Sequence, residues 1–159
     1  MQYRFFARFA SVAALASLVT ASAPARRSQP YAGPSAPIRI TVFKDPNCGC
    51  CKSWIEHLRK HGFAVVVRDT SDVSGAKRAG RVPEPLRSCH TAFVNGYVVE
   101  GHVPAPDIQR LLTEKPKLAG LAVPGMPVGS PGMEMGGRVE SYDVVAFNRD
   151  GTMRVFARH

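Results

Sequence analysis

Three cysteines in four residues, Cys48-Gly49-Cys50-Cys51, stand where an alternating apolar run gives way to helical spacing. Before them, from Pro37 onward, Ile38, Ile40 and Val42 alternate as a strand does. After them Trp54, Ile55 and Leu58 share one face of a helix running from about Cys50 to His61. Gly62 ends that helix in the usual C-terminal position. A strand that delivers thiols into the first turn of a helix commits the chain to an α/β arrangement. The unsatisfied N–H groups of such a turn favour anionic sulfur.

The run Phe63-Ala64-Val65-Val66-Val67 is continuous and β-branched, the pattern of a buried strand. A short helix is expected over 72–80. Thr91 to Glu100 reads as two short strands around Asn95-Gly96, the strongest short hairpin signal. Pro106 to Lys115 reads as a helix with Ile108, Leu111 and Leu112 facing inward, and 116–137 as a Pro/Gly/Met loop. Tyr142 to Phe147 and Met153 to Phe156 form a last hairpin around Asn148-Arg149-Asp150-Gly151. Strand, helix, strand, helix, hairpin, helix is the order of a thioredoxin-like domain. The expected fold over 37–159 is therefore α/β and thioredoxin-like, with the Pro/Gly/Met loop and an added C-terminal hairpin. In that arrangement Cys48-x-x-Cys51 opens the first helix and Ser88-Cys89-His90 precedes the hairpin. Two motifs 38 residues apart in sequence would then face one another.

The N-terminus carries an address. Arg4 and Arg8, the apolar run from Phe9 to Val19 and the small residues Ala21-Ser22-Ala23 are the three parts of a secretory signal peptide over 1–23. The run is too short for a membrane anchor, which takes about 20 residues. Cleavage after Ala23 leaves 136 residues, one domain's worth, with no later segment apolar enough to span a bilayer. Such a domain buries about two-thirds of its unfolded surface and needs no disulfides to hold a core. Residues 24–36, rich in Pro, Ala, Ser and Gly, read as a flexible linker. The chain is expected to be exported to the periplasm.

The formal net charge is +9, and cleavage removes two arginines and no acid, lowering it to +7. The basic residues are scattered, and the densest cluster, Lys77, Arg78 and Arg81, has no interleaved aromatics. A solvated surface is the reading, with no nucleic-acid partner.

Cys48, Cys50, Cys51 and Cys89 are all the cysteines of the chain. Two structural disulfides explain an even count in an exported protein. The spacing argues against them, because a 48–51 loop removes little entropy from the unfolded chain and adjacent cysteines bridge with strain. Thiol–disulfide exchange explains the Cys48-x-x-Cys51 pair but leaves Cys50 and Cys89 as competing partners. A metal site uses all four. Soft thiolates select Cu(I), zinc or iron–sulfur clusters. Structural zinc draws on well-separated pairs, whereas adjacent Cys50 and Cys51 should diverge. Several bridged Cu(I) ions suit that crowding best, with zinc and silver as further candidates. Binding rather than catalysis is the favoured reading, and copper redox chemistry or thiol exchange is the activity these residues would allow.

His90 follows Cys89 directly, and His102 lies two residues beyond Glu100. Both are candidate ligands, since imidazole binds copper and zinc alike. His57 and His61 share a helix face, but among Glu56, Arg59 and Lys60 they read as solvated. Met126, Met133 and Met135 lie in a Gly/Pro loop with no periodic apolar face, which makes thioether ligation by Met126 or Met133 a rival to packing. Residues 121–135 are expected to act as an apolar cover bringing Met126 or Met133 to the cysteines.

PNCGCCKSWIEHLRKHGF, VPEPLRSCHTAFVNGYVVEGHVPAPDIQRLL and GLAVPGMPVGSPGMEM together resemble the CopG-type copper-resistance proteins. These are an exported metal-binding family first described as a domain of unknown function, and not the ribbon-helix-helix repressors of the same name. The resemblance spans about residues 38–159 and retains every cysteine and histidine of the pattern. It implies a thioredoxin-like domain working in copper or silver tolerance beside efflux pumps and copper carriers. On matching positions it implies Cys48, Cys50, Cys51 and Cys89 as metal ligands, with His90 and His102 near the site.

Overall fold

The computed structural model describes residues 36–159, and the strands found there form one seven-stranded sheet accompanied by three helices. Residues 1–23, read as a signal peptide, and all of the 24–36 linker but Ala36 lie outside the described residues. Among the described residues no helix is long and apolar enough to cross a membrane.

β1 (Arg39–Lys44), α1 (Gly49–Lys60) and β2 (Ala64–Asp69) come first. β1 and β2 are parallel, with Ile40 opposite Val65. The valine run of β2 is only half-buried, unlike the buried strand its composition predicts. The reason is its place at the edge of the sheet, whose order is β2-β1-β3-β4-β5-β6-β7. α2 (Val73–Ala79) and a 3₁₀ turn at Glu84–Leu86 lead into β3 (His90–Val94) and β4 (Tyr97–Glu100). Asn95 and Gly96 both have positive φ, 46° and 85°, as a two-residue hairpin of this hand requires. α3 (Ala105–Glu114) follows, then β5 (Gly120–Ala122), β6 (Asp143–Phe147) and β7 (Met153–Arg158).

Adjacent residues of a strand point to opposite faces, and the two faces have separate cores. Ile40 and Val42 of β1, Val99 of β4, Leu121 of β5 and Val144 of β6 pack with Trp54 and Leu58 of α1 and Ile108 and Leu111 of α3. Each of these larger side chains stabilises the fold by about 1.5–3 kcal/mol on burial. On the other face Val98, Ala122 and Phe147 meet Val82 and Leu86, from the segment after α2.

β5 lies inside the span expected to be a loop. Its first residue is glycine for a steric reason: a Cβ at Gly120 would collide with the Val98 carbonyl oxygen and approach the Phe147 ring to 2.9 Å. β5 pairs parallel with β4 and antiparallel with β6. The last hairpin is thereby continuous with the main sheet.

Candidate metal centre

β1 ends in a turn in which the Asn47 amide donates to Asp45 Oδ1 at 2.7 Å and the Cys48 amide to the Asp45 carbonyl at 3.1 Å. The turn places Cys48 at the N-cap of α1, where its sulfur accepts from the Cys51 amide at 3.3 Å. Cys50 and Cys51 occupy the first helical turn. Cys89 arrives from the other side, between the 3₁₀ turn and β3. β3 lies beside β1 in the sheet, so its N-terminal end meets the thiols at the start of α1.

All four cysteine sulfurs lie within 4.8 Å of one another. Cys50 and Cys51 were expected to diverge because they are adjacent. Both sulfurs instead come within 4.8 Å of the Cys89 sulfur, from the start of α1. Cys48 and Cys51 are joined in a disulfide with Cα atoms 5.4 Å apart, within the range for a bridge. The small entropic gain of so short a loop does not prevent it, because the helical turn has already brought the residues together. Cys50 and Cys89 carry free thiols, and the Cys50 sulfur is 3.5 Å from that of Cys48.

Cys89 also belongs to a second donor group, whose ligand atoms on Cys89, His90 and His102 again lie within 4.8 Å of one another. The Cys89 sulfur is 3.2 Å from His90 Nδ1 and 3.1 Å from His102 Nε2. His102 Nδ1 sits 2.8 Å from the Pro131 carbonyl, which can only accept. Nδ1 therefore carries the proton and Nε2 turns a bare lone pair toward the thiol. Burial holds His102 below its ordinary pKa. It holds His90 well below, helped by His102 and Lys77 nearby. Burial, with Cys50 adjacent, pushes the Cys89 thiol up to about 11. At neutral pH the centre is thus a protonated thiol between two neutral imidazoles, and a soft cation bound there would have to displace the thiol proton.

Both histidines are fully buried. The His90 ring lies 4.3 Å from the Trp54 ring and 5.0 Å from the His102 ring. Trp54 Nε1 donates to the Val103 carbonyl at 2.9 Å, tying α1 to the residue after His102. Among the described residues His90 Nε2 is buried without a hydrogen-bond partner.

The loop before β6 reaches the centre through its backbone. The Gly125 carbonyl accepts from Ser88 Oγ at 2.6 Å, and the Pro131 carbonyl accepts from His102. Gly132 lies so close to α1 that a Cβ would be 2.7 Å from both the Cys50 carbonyl and the Trp54 amide. Of the candidate thioether ligands, Met133 is half-buried and Met126 is 52% exposed.

Two residues that the sequence reading passed over matter here. Lys77, expected on a solvated face with Arg78 and Arg81, is buried and pairs with the fully buried Glu100 at 2.6 Å. A lone Lys on a short basic helix carries no signal of burial, because its acid is supplied by a strand 23 residues on. Glu100 was noted only as a neighbour of His102.

No curated protein matches the chain. The family described as "Protein of unknown function, DUF411" matches residues 86–133, which include Cys89, His90 and His102. Among solved structures, "Copper resistance protein copG- Form 2" is 50% identical with a TM-score of 0.74, covering 77% of this chain and 98% of its own. "Copper resistance protein copG- Form 1" is 51% identical with a TM-score of 0.73 and the same coverage. At that identity and extent, with the cysteine cluster in place, the chain belongs to the CopG family of copper resistance proteins.

Proposed function

We propose that the protein holds Cu(I) in the periplasm as part of copper tolerance, in a site built from Cys48, Cys50, Cys51 and Cys89 that takes several ions. The observation that carries this reading is the approach of all four sulfurs to within 4.8 Å, with Cys89 shared by His90 and His102. Thiolates and neutral imidazoles are donors suited to Cu(I), and thiolate sulfur can bridge two ions. Copper is the cargo here, and silver would suit the same donors. Export is supported by the signal-like residues 1–23 and by the disulfide, which persists in oxidising compartments. A thioredoxin-like scaffold is supported by the order β2-β1-β3-β4 with α1 and α3 packed on one core. Copper efflux or carrier proteins are the partners this role calls for.

Capacity should depend on the redox state. With Cys48 and Cys51 bridged, two of the four sulfurs cannot bind as thiolates. A dithiol reductant supplies two electrons and two protons, the S–S bond breaks, and four thiols become available. Anaerobic Cu(I) titration against a colorimetric chelator tests this. The reduced protein is expected to saturate with more than one ion, and the bridged form with fewer. Saturation of the reduced form at one ion, or bound zinc that Cu(I) cannot displace, would overturn the multinuclear reading.

One observation favours a second reading, a thiol–disulfide oxidoreductase: the bridge joins the N-cap residue of α1 to the residue three further on. Metal-free protein would then reduce insulin, and a Cys50→Ser, Cys89→Ser double variant would keep that turnover. No turnover in either protein removes this reading.

A further inference from the structure

The metal reading leaves unused a buried carboxylate that bonds to the chain beside Cys89. Glu100 is fully buried at the end of β4, and its carboxylate takes three donors from three parts of the chain. Oε1 accepts from Lys77 Nζ of α2 and from the Ser88 amide, each at 2.6 Å. Oε2 accepts from Thr91 Oγ1 of β3 at 2.7 Å. Lys77 Nζ also reaches Thr91 Oγ1 at 3.3 Å. A buried ion pair is weak evidence for stability, since apolar replacements of similar volume often match or exceed it. Something other than stability is the better account of its presence.

Its partners say what it does. Cys89 sits just outside β3, where the ladder to β1 begins at His90 opposite Lys44. Ser88, the residue before it, is held by two side-chain bonds: its amide to Glu100 and its hydroxyl to the Gly125 carbonyl. On the far side, Thr91 is both the register partner of Glu100 and its hydrogen-bond donor. One carboxylate thus grips the chain immediately before Cys89 and immediately after His90. Glu100 is itself joined through Gly101 to His102, and the Gly101 amide donates to the His90 carbonyl at 3.0 Å. The donors that come from outside α1 and its N-cap, Cys89, His90 and His102, are thus all referred to this single group.

We propose that Glu100, charge-balanced by Lys77, is the positioning residue of the metal centre. It holds Cys89 where its sulfur reaches the α1 cysteines and both imidazoles at once. This rests on the metal-binding reading above. A glutamine in its place leaves the Lys77 ammonium without its counter-charge. It also turns an NH₂ either to Thr91, whose hydroxyl must then accept, or to Lys77 and the Ser88 amide, which cannot, so the grip loosens without loss of any ligand. Partners that orient metal ligands typically change affinity by about 10–100-fold when altered.

The test compares the reduced full-length protein with Glu100→Gln, with the double variant Lys77→Met/Glu100→Gln, and with a core control, Ile108→Val. Measured are Cu(I) count at saturation, retention against a colorimetric Cu(I) chelator, the Cu–S to Cu–N ratio by X-ray absorption, and melting temperature. Glu100→Gln is expected to keep the copper count, lose retention by about 10–100-fold and show a smaller Cu–N contribution. Ile108→Val should lower the melting temperature while leaving retention and spectrum unchanged. If Glu100→Gln does not fold, the double variant, which leaves no uncompensated buried charge, carries the same expectations. Retention within twofold of wild type, with an unchanged Cu–N signal, overturns the proposal and leaves the metal reading standing. Equal loss of retention in Ile108→Val overturns it too, by reducing the effect to stability. A wild-type protein that binds no copper overturns both.

Discussion

At the scale of single residues, a histidine does the work of a helix cap. Pro104 precedes α3 and offers no side-chain cap, and the Ala105 amide instead donates to His57 Nε2 of α1 at 3.0 Å. The i, i+4 spacing of His57 and His61 reads as a solvated pair. His61 is indeed exposed, but His57 is half-buried between α1 and α3. Burial lowers the His57 pKa from its ordinary 6.5, His61 and Lys60 add to the shift, and Glu134 opposes it. The folded protein therefore favours neutral His57. Its contribution is complete above about pH 6.5 and is lost as pH falls toward the lower folded value. Buried His90 and His102 act with the same sign in the metal-free protein. Melting temperature of metal-free protein should accordingly drop between pH 7.5 and 5. His57→Gln, which keeps an acceptor but cannot titrate, should show a smaller drop. An identical pH dependence in the two would mean that His57 contributes nothing to it.

At the scale of elements, the segment 124–140 meets the metal centre through its main chain. Pro131 and Gly125 supply carbonyls to His102 and Ser88, and Gly132 seats against the first turns of α1 with φ at +86°. Gly132→Ala adds a Cβ where there is no room and a φ that alanine resists, a strain of about 1–3 kcal/mol. The loop should lift from α1, seen as faster proteolytic nicking within it and weaker copper retention, with the sheet still folded. Unchanged proteolysis would show that α1 can yield to the extra methyl. The methionines are a separate matter. Met126→Ala with Met133→Ala is expected to leave folding and copper count intact, to speed air oxidation of bound Cu(I), and to weaken retention by about 10–100-fold. If oxidation and retention match the wild type, the loop's thioethers have no part in holding or shielding copper.

At the scale of the whole molecule, β5 is what makes one sheet out of a four-stranded core and a terminal hairpin. Three residues suffice because both neighbours pair with it, and Gly120 lets β4 and Phe147 approach from either side. Gly120→Ala should cost about 1–3 kcal/mol as an overpacked position. The amides of β6 and β7 should lose hydrogen-exchange protection before those of β1 and β3. Uniform loss across the sheet would instead show that the hairpin and the core open as one unit.

The elements whose signals are local were legible in the chain. Alternation gave β1, i, i+3, i+4 spacing gave α1 and α3, and Asn95-Gly96 gave the hairpin, because each depends on residues a few positions apart. The four cysteines pointed to a soft-metal site by residue type and by the crowding of three of them into four positions. What they could not announce was arrangement. The half-buried state of β2 follows from its place at the sheet edge, β5 from two strands that close around a glycine, and the Cys48–Cys51 bridge from the turn that α1 makes. The burial of Lys77 follows from an acid on another element, and the Cys89, His90 and His102 group from the register of β3 with β4. Residue type and local spacing are properties of the chain, whereas burial, pairing and distance between remote residues exist only once the sheet has closed.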